Sequence, residues 1–108
     1  MNVEELRAFA LSLTGVTESF PFGEDTLVFK TNEKIFLLVS LSSPVLQFNV
    51  KCDPEQAIEL REQYSAVLPG YHMNKKHWNT IIADGSIRNS QLLDFVHTSY
   101  KLVAKKKK

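Results

Sequence analysis

The chain has 108 residues, 44% of them apolar and 23% charged, the profile of one ordinary globular domain rather than a disordered or fibrous segment. Its net charge of +1 is misleading. Four of the thirteen basic residues form the run Lys105 to Lys108, and the nine that remain face twelve acidic ones, a body of about −3 that excludes a strongly basic nucleic-acid-binding domain.

Asn2 followed by Glu5 reads as a capping box for a first helix over Val3 to Leu13. Val3, Leu6, Phe9, Ala10 and Leu13 make its apolar stripe, and Gly15 stands just past its end. The segment "TESFPFGED" is expected to be a loop, broken by Pro21 and Gly23 and pinned to the core by Phe20 and Phe22.

Three strands follow: "TLVFK", "KIFLLVSL" and "VLQFNVK". The links between them are short enough for an antiparallel meander. With Asn32 and Glu33 at the first turn, Thr31 pairs with Lys34. Strict alternation then puts Leu27, Phe29, Phe36, Leu38, Leu46, Phe48 and Val50 on one buried face. The other face carries Val28, Lys30, Ile35, Leu37, Val39, Gln47, Asn49 and Lys51. No helix is expected to cover it, so Lys30, Ile35, Leu37, Val39 and Lys51 mark a candidate surface for a protein partner or a second copy of the chain.

Asp53 as N-cap, Pro54 at the first helical position and Gln56 in a box-like cap start a second helix that runs to about Tyr64. "VLPGYHM" and "HWNTIIA" read as two strands around "NKK". A last helix spans Asn89 to Ala104, with Leu92, Phe95, Val96, Ser99 and Val103 facing inward. The order is α-β-β-β-α-β-β-α. It fits an α+β two-layer sandwich with an antiparallel five-stranded sheet and helices on one face. One domain over residues 1–104 and a basic tail at 105–108 are expected.

The chemistry concentrates in "PGYHMNKKHWNTI", Pro69 to Ile81. His72, His77 and Asp84 match no zinc spacing, and no metal or cofactor is expected. A histidine paired with Asp84 lacks a neighbouring nucleophile, and Ser86 lacks flanking glycines, so no enzyme activity is expected. Cys52, the lone cysteine, precedes a helix start, a position that can lower a thiol pKa; a small residue closing a strand is the plainer reading. Lys75 and Lys76 at a hairpin tip suit phosphates, Asn74 and Asn79 suit base edges or sugar, and Tyr71 or Trp78 offers a stacking ring. The same lysines also serve simply as a solvated turn that blunts edge pairing. One cysteine, no leader and no apolar run longer than "IFLLV" point to a reducing cytoplasm without a membrane span.

The stretch "PGYHMNKKHWNTI" followed by "DGSI" resembles the MmcQ/YjbR-like family of small bacterial proteins, with "ESFPFG", "KIF" and "NVKCDP" in support. Arg88 departs from the proline that members often carry after "DGSI". The resemblance implies the helix and strand order above, and a fold similar to type III secretion chaperones and to CyaY. It further implies DNA binding through protruding wings. Carried onto this chain, the matched positions are Tyr71, His72, Asn74, Lys75, Lys76, His77, Trp78 and Asn79. Two functions are therefore in view: weak DNA binding without strong sequence preference, through the lysine-bearing hairpin, and a protein-interaction or assembly module that uses the open sheet face.

Overall fold

A computed structural model describes residues 1–70 and 73–104. Helix α1 spans Val3–Ser12 and its capping box forms as expected: the Asn2 side chain accepts from the Glu5 N–H at 2.8 Å, and the Glu5 carboxylate accepts from the Asn2 N–H at 3.0 Å. Strands β1 (Thr17–Ser19), β2 (Thr26–Thr31), β3 (Lys34–Ser40) and β4 (Gln47–Lys51) precede helix α2 (Pro54–Gln63). Strands β5 (Val67–Pro69) and β6 (Trp78–Ile82) and helix α3 (Asn89–Ala104) complete the order. The sheet is antiparallel throughout, with spatial order β1-β2-β3-β4-β6-β5.

The α+β architecture is as expected, but the sheet has six strands rather than five. The extra one is β1, three residues inside "TESFPFGED" that pair with Lys30, Phe29 and Val28. Arg7 of α1 fastens it: the guanidinium donates to both Glu18 carboxylate oxygens, at 2.7 and 2.5 Å. Phe20 and Phe22, just beyond it, do not pin the loop to the core; they are 51% and 64% exposed.

The turn between β2 and β3 is the one the spacing requires. Thr31 pairs with Lys34, and Asn32 and Glu33 both take positive φ, 52° and 62°, the primed geometry that matches strand twist. The register then slips. Lys30 pairs with Ile35, but Phe29 pairs with Leu37, so Phe36 is an extra residue, a β-bulge. Phe36 and Leu37 therefore both face the helices. Beyond the bulge the alternation is inverted relative to expectation: Leu37 and Val39 enter the core with Leu27, Phe29, Phe48 and Val50, while Leu38 joins the opposite face. Leu37 and Val39 are 0% and 1% exposed. They cannot serve a partner surface, which corrects the expected face at those two positions.

The bulge leaves a gap in the ladder. In a regular register the Phe36 carbonyl and the Lys51 N–H would sit opposite each other on β3 and β4. Here Ser99 of α3 stands between them: its hydroxyl accepts from Lys51 N at 2.8 Å and donates to Phe36 O at 2.6 Å. Both buried backbone groups are thereby satisfied. The five inward residues expected for α3, Leu92, Phe95, Val96, Ser99 and Val103, are its five buried residues.

All three helices cover one face of the sheet. Leu6 and Ala10 of α1, Leu60 of α2 and the apolar stripe of α3 share a cluster with the inward strand residues. Helix α2 begins at Pro54 as expected, but Asp53 makes no side-chain capping bond, so the box-like cap with Gln56 does not form. No described helix is long and apolar enough to cross a membrane.

Candidate functional site

The stretch from Pro69 to Ile81 is not a tight hairpin. Strands β5 and β6 are joined by the long connection from Gly70 to His77. Gly70 closes the ladder by donating to Trp78 O at 3.0 Å. A Cβ at Gly70 would stand 3.0 Å from the Trp78 Cβ and 3.1 Å from its carbonyl oxygen, so no side chain fits there without displacing backbone. Tyr71 and His72 lie outside the described residues.

The rest of the connection is a built turn. The Asn74 side chain accepts from Lys76 N at 2.9 Å, and the Asn74 carbonyl accepts from His77 N and Trp78 N at 3.1 and 2.9 Å. Arg61 of α2 donates through Nη2 to the Lys75 carbonyl and through Nε to the Asn79 side-chain oxygen, the latter at 2.7 Å. Asn79 also donates to Ala57 O at 3.2 Å, and its amide nitrogen lies 3.9 Å from Cys52 Sγ. Asn79 is thus the buried bolt between β6 and α2, 0% exposed, and it cannot reach a base edge. Trp78 packs with Val28 and Leu38 on the opposite face, flanked by Ile35 and Met73, so its ring is a packing element and offers no open stacking face. Of the eight positions, Asn74, Lys75 and Lys76 are exposed and His77 is half-buried.

Neither histidine-centred reading gains support. The Asp84 carboxylate accepts from Ser86 N and Ser86 Oγ at 3.0 and 2.6 Å, and these bonds hold its pKa below the usual carboxylate range. It organises its own turn. Cys52 is buried, and desolvation pushes its thiol pKa up; Arg61 lowers it and Asp53 raises it by smaller amounts. The helix start just after Cys52 does not make it a reactive thiolate. Among the described residues, no three His, Cys, Asp or Glu side chains converge as a metal site.

The register shows what the helix-free face does carry. Three cross-strand rows follow from the pairings. One contains Thr26, Ser40 and Gln47. The next contains Val28, Leu38, Asn49 and Thr80. The third, at the bulged end, contains Lys30 paired with Ile35 and Lys51 paired with Trp78. Lys30, Ile35 and Lys51 are therefore on this face as expected, half-buried, at the end away from the polar rows.

Over the first two rows the face is concave. A cleft of about 550 Å³ is floored by Thr26, Leu38, Ser40, Gln47, Asn49 and Thr80 and flanked by Phe22 and Met73 from two different loops. Thr80 Oγ1 donates to Asn49 Oδ1 at 2.5 Å. Among the described residues, the lining contains no ionisable side chain. Sequence reasoning placed Gln47 and Asn49 on this face but did not single them out. The available signal was a run of uncharged polar residues alternating with core residues along an interior strand.

Fold and sequence agree on the family. The YjbR family model matches residues 11–102. The chain is 38% identical over 100 residues to the Escherichia coli O157:H7 protein YbdF, covering 93% of this chain and 82% of that one. It is 32% identical over 101 residues to YjbR of Escherichia coli K12, covering 94% and 86%. The crystal structure of Deinococcus radiodurans protein DR2400, a DUF419 domain, superposes with a TM-score of 0.92 at 37% identity, over 97% of this chain and 80% of that one. A Pseudomonas syringae protein shares the fold, with a TM-score of 0.82 at 24% identity over 95% and 99%. The chain belongs to the YjbR family.

Proposed function

We propose that the chain is a non-catalytic binding protein whose working surface is the helix-free face of the sheet. The observation that carries this reading is the cleft over Thr26, Ser40, Gln47, Asn49 and Thr80. Its volume falls in the range of roughly 300–1,000 Å³ usual for ligand sites. Its floor is hydrogen-bonding and its flanks are apolar, the mixture such sites use for orientation and affinity. Among the described residues, no lining side chain titrates near neutrality, and none of them is a general acid or general base.

DNA contact at the β5–β6 turn is a second reading, favoured by one observation: Asn74, Lys75 and Lys76 are consecutive and exposed on a turn that Arg61 holds to α2. Such contact would be weak and without strong sequence preference, because Trp78 and Asn79 are buried.

The two readings separate in a heteronuclear NMR titration. One arm uses a library of small neutral organic fragments; the other uses duplex and single-stranded DNA at two salt concentrations. Shifts clustered on the amides of Ser40, Gln47, Asn49 and Thr80 in the fragment arm support the sheet-face reading. Salt-sensitive shifts on Asn74 to His77 in the DNA arm, with a silent cleft in the other, transfer the function to the turn.

A further inference from the structure

The cleft's chemistry narrows its ligand. The floor is two adjacent rows of a pleated sheet, three strands wide in each row. With strands about 4.8 Å apart and alternate residues roughly 7 Å apart along each strand, that floor is a plate large enough for one six-membered ring and an exocyclic group. A planar ligand lies on it without losing contact, whereas a puckered one stands off. Phe22 supplies an aromatic flank and Met73 a polarisable thioether, both suited to the edges and faces of a flat ring.

Hydrogen-bonding capacity sets the polar part of the ligand. The Asn49 side-chain oxygen already accepts from Thr80 Oγ1, so the N–H donors are the wholly unused part of its amide. Gln47 makes no side-chain hydrogen bond among the described residues and keeps both a donor and an acceptor. An occupant that meets both along one rigid edge presents an acceptor beside a donor, and a carbonyl next to an N–H, the edge of a primary amide or a lactam, does so. Charge is disfavoured, because a desolvated ion would find no counter-charge among the described lining residues.

We infer that the cleft binds a neutral, flat ring carrying an amide or lactam edge, with the ring on the Leu38 floor between Phe22 and Met73 and the polar edge on Gln47 and Asn49. This rests on the reading of the helix-free face as the working surface.

Nicotinamide is a minimal probe, with three controls: nicotinate adds charge, cyclohexanecarboxamide replaces the flat ring with a puckered one, and 3-methylpyridine removes the amide. Amide shifts of the full chain report binding. Nicotinamide is expected to move Ser40, Gln47, Asn49 and Thr80 with a Kd of about 1 mM, a reasonable affinity for so few atoms. Each control is expected to bind at least about threefold more weakly. Gln47→Met keeps the side chain's length and removes its amide, and Phe22→Ala removes an exposed ring; each is expected to weaken nicotinamide about three- to tenfold with the fold intact. Equal or tighter binding of any control at the same amides overturns the inference but leaves the face as a binding surface. If no probe, nor any fragment of the wider library, moves those amides, both are overturned.

Discussion

Ser99 shows how one hydroxyl can carry an irregular sheet. It serves a donor on β4 and an acceptor on β3 that the bulge has separated. Ser99→Ala leaves both unpaired beneath α3, at about 1–3 kcal/mol for each group that stays shielded from water. A urea melt should show a lower midpoint, and the Lys51 amide should lose hydrogen-exchange protection more than its neighbours. Cys52 makes a different kind of prediction. Burial raises its folded pKa above the unfolded value of about 8.5. The folded state therefore holds the proton to higher pH than the unfolded state. The associated stability is complete below the unfolded pKa and declines as pH rises through it toward the folded pKa. Denaturation midpoints measured from neutral to mildly alkaline pH should fall for the wild type and fall less for Cys52→Ala. Alkylation of Cys52 should be slow in the native protein and fast in denaturant.

Among the elements, the β2–β3 hairpin was the most legible and the strand after it the least. Asn32 and Glu33 could be placed at the tip because a two-residue link between apolar runs admits few geometries. Glu33 nevertheless holds φ at 62°, a conformation costly for a residue with a Cβ. Glu33→Gly should therefore stabilise the protein by about 0.5–1 kcal/mol, read as a raised denaturant midpoint with unchanged slope. The bulge one pair further on left little trace in the sequence. "KIFLLVSL" is apolar at every position from Ile35 to Val39, so the inversion of faces at Leu37, Leu38 and Val39 exchanges one apolar residue for another, and Ser40 at the strand's end is the polar residue whose face it changes. Helix α3 was readable for the opposite reason: its polar and apolar residues separate cleanly, and the serine on its apolar stripe was the one hint that something polar had to be met inside. Strand β1 was missed because three residues cannot establish an alternation. Phe20 and Phe22 were misplaced because an aromatic side chain is the same letter in a core and at the rim of a cleft. The candidate cleft was only half visible, since its floor joins residues of four strands that the slipped register alone brings together.

At the scale of the molecule, the corrected register removes most of the motive for a dimer through an apolar stripe. Of Ile35, Leu37 and Val39, Ile35 alone stays on the helix-free face, half-buried against the cluster of Val28, Leu38 and Trp78. Leu37→Lys should now unfold the protein rather than dissociate it, and Leu37→Ala should cost about 2–5 kcal/mol, both checked by circular dichroism and chemical denaturation. Charge is likewise unevenly shared. With a body near −3 apart from the four terminal lysines, any affinity for DNA must come from a few local cations. If the turn is the site, changing Lys75 and Lys76 together to alanine should remove most binding and flatten the salt dependence by about two. Deleting Lys105 to Lys108 should matter less. The reverse pattern would mean that the tail is acting as a simple polycation.

The Ser99 bridge has a consequence for how the chain is made. Strands β2, β3 and β4 all leave the ribosome before α3 exists, and domains tend to acquire structure in the order of synthesis. Until residue 99 arrives, the slipped register leaves the Phe36 carbonyl and the Lys51 N–H with only water to turn to, and nothing from α3 holds that register in place. The nascent meander is then free to sample the unbulged pairing, with Leu38 inward. Docking of the C-terminal helix therefore favours the slipped register, the one in which the Ser99 hydroxyl meets both partners.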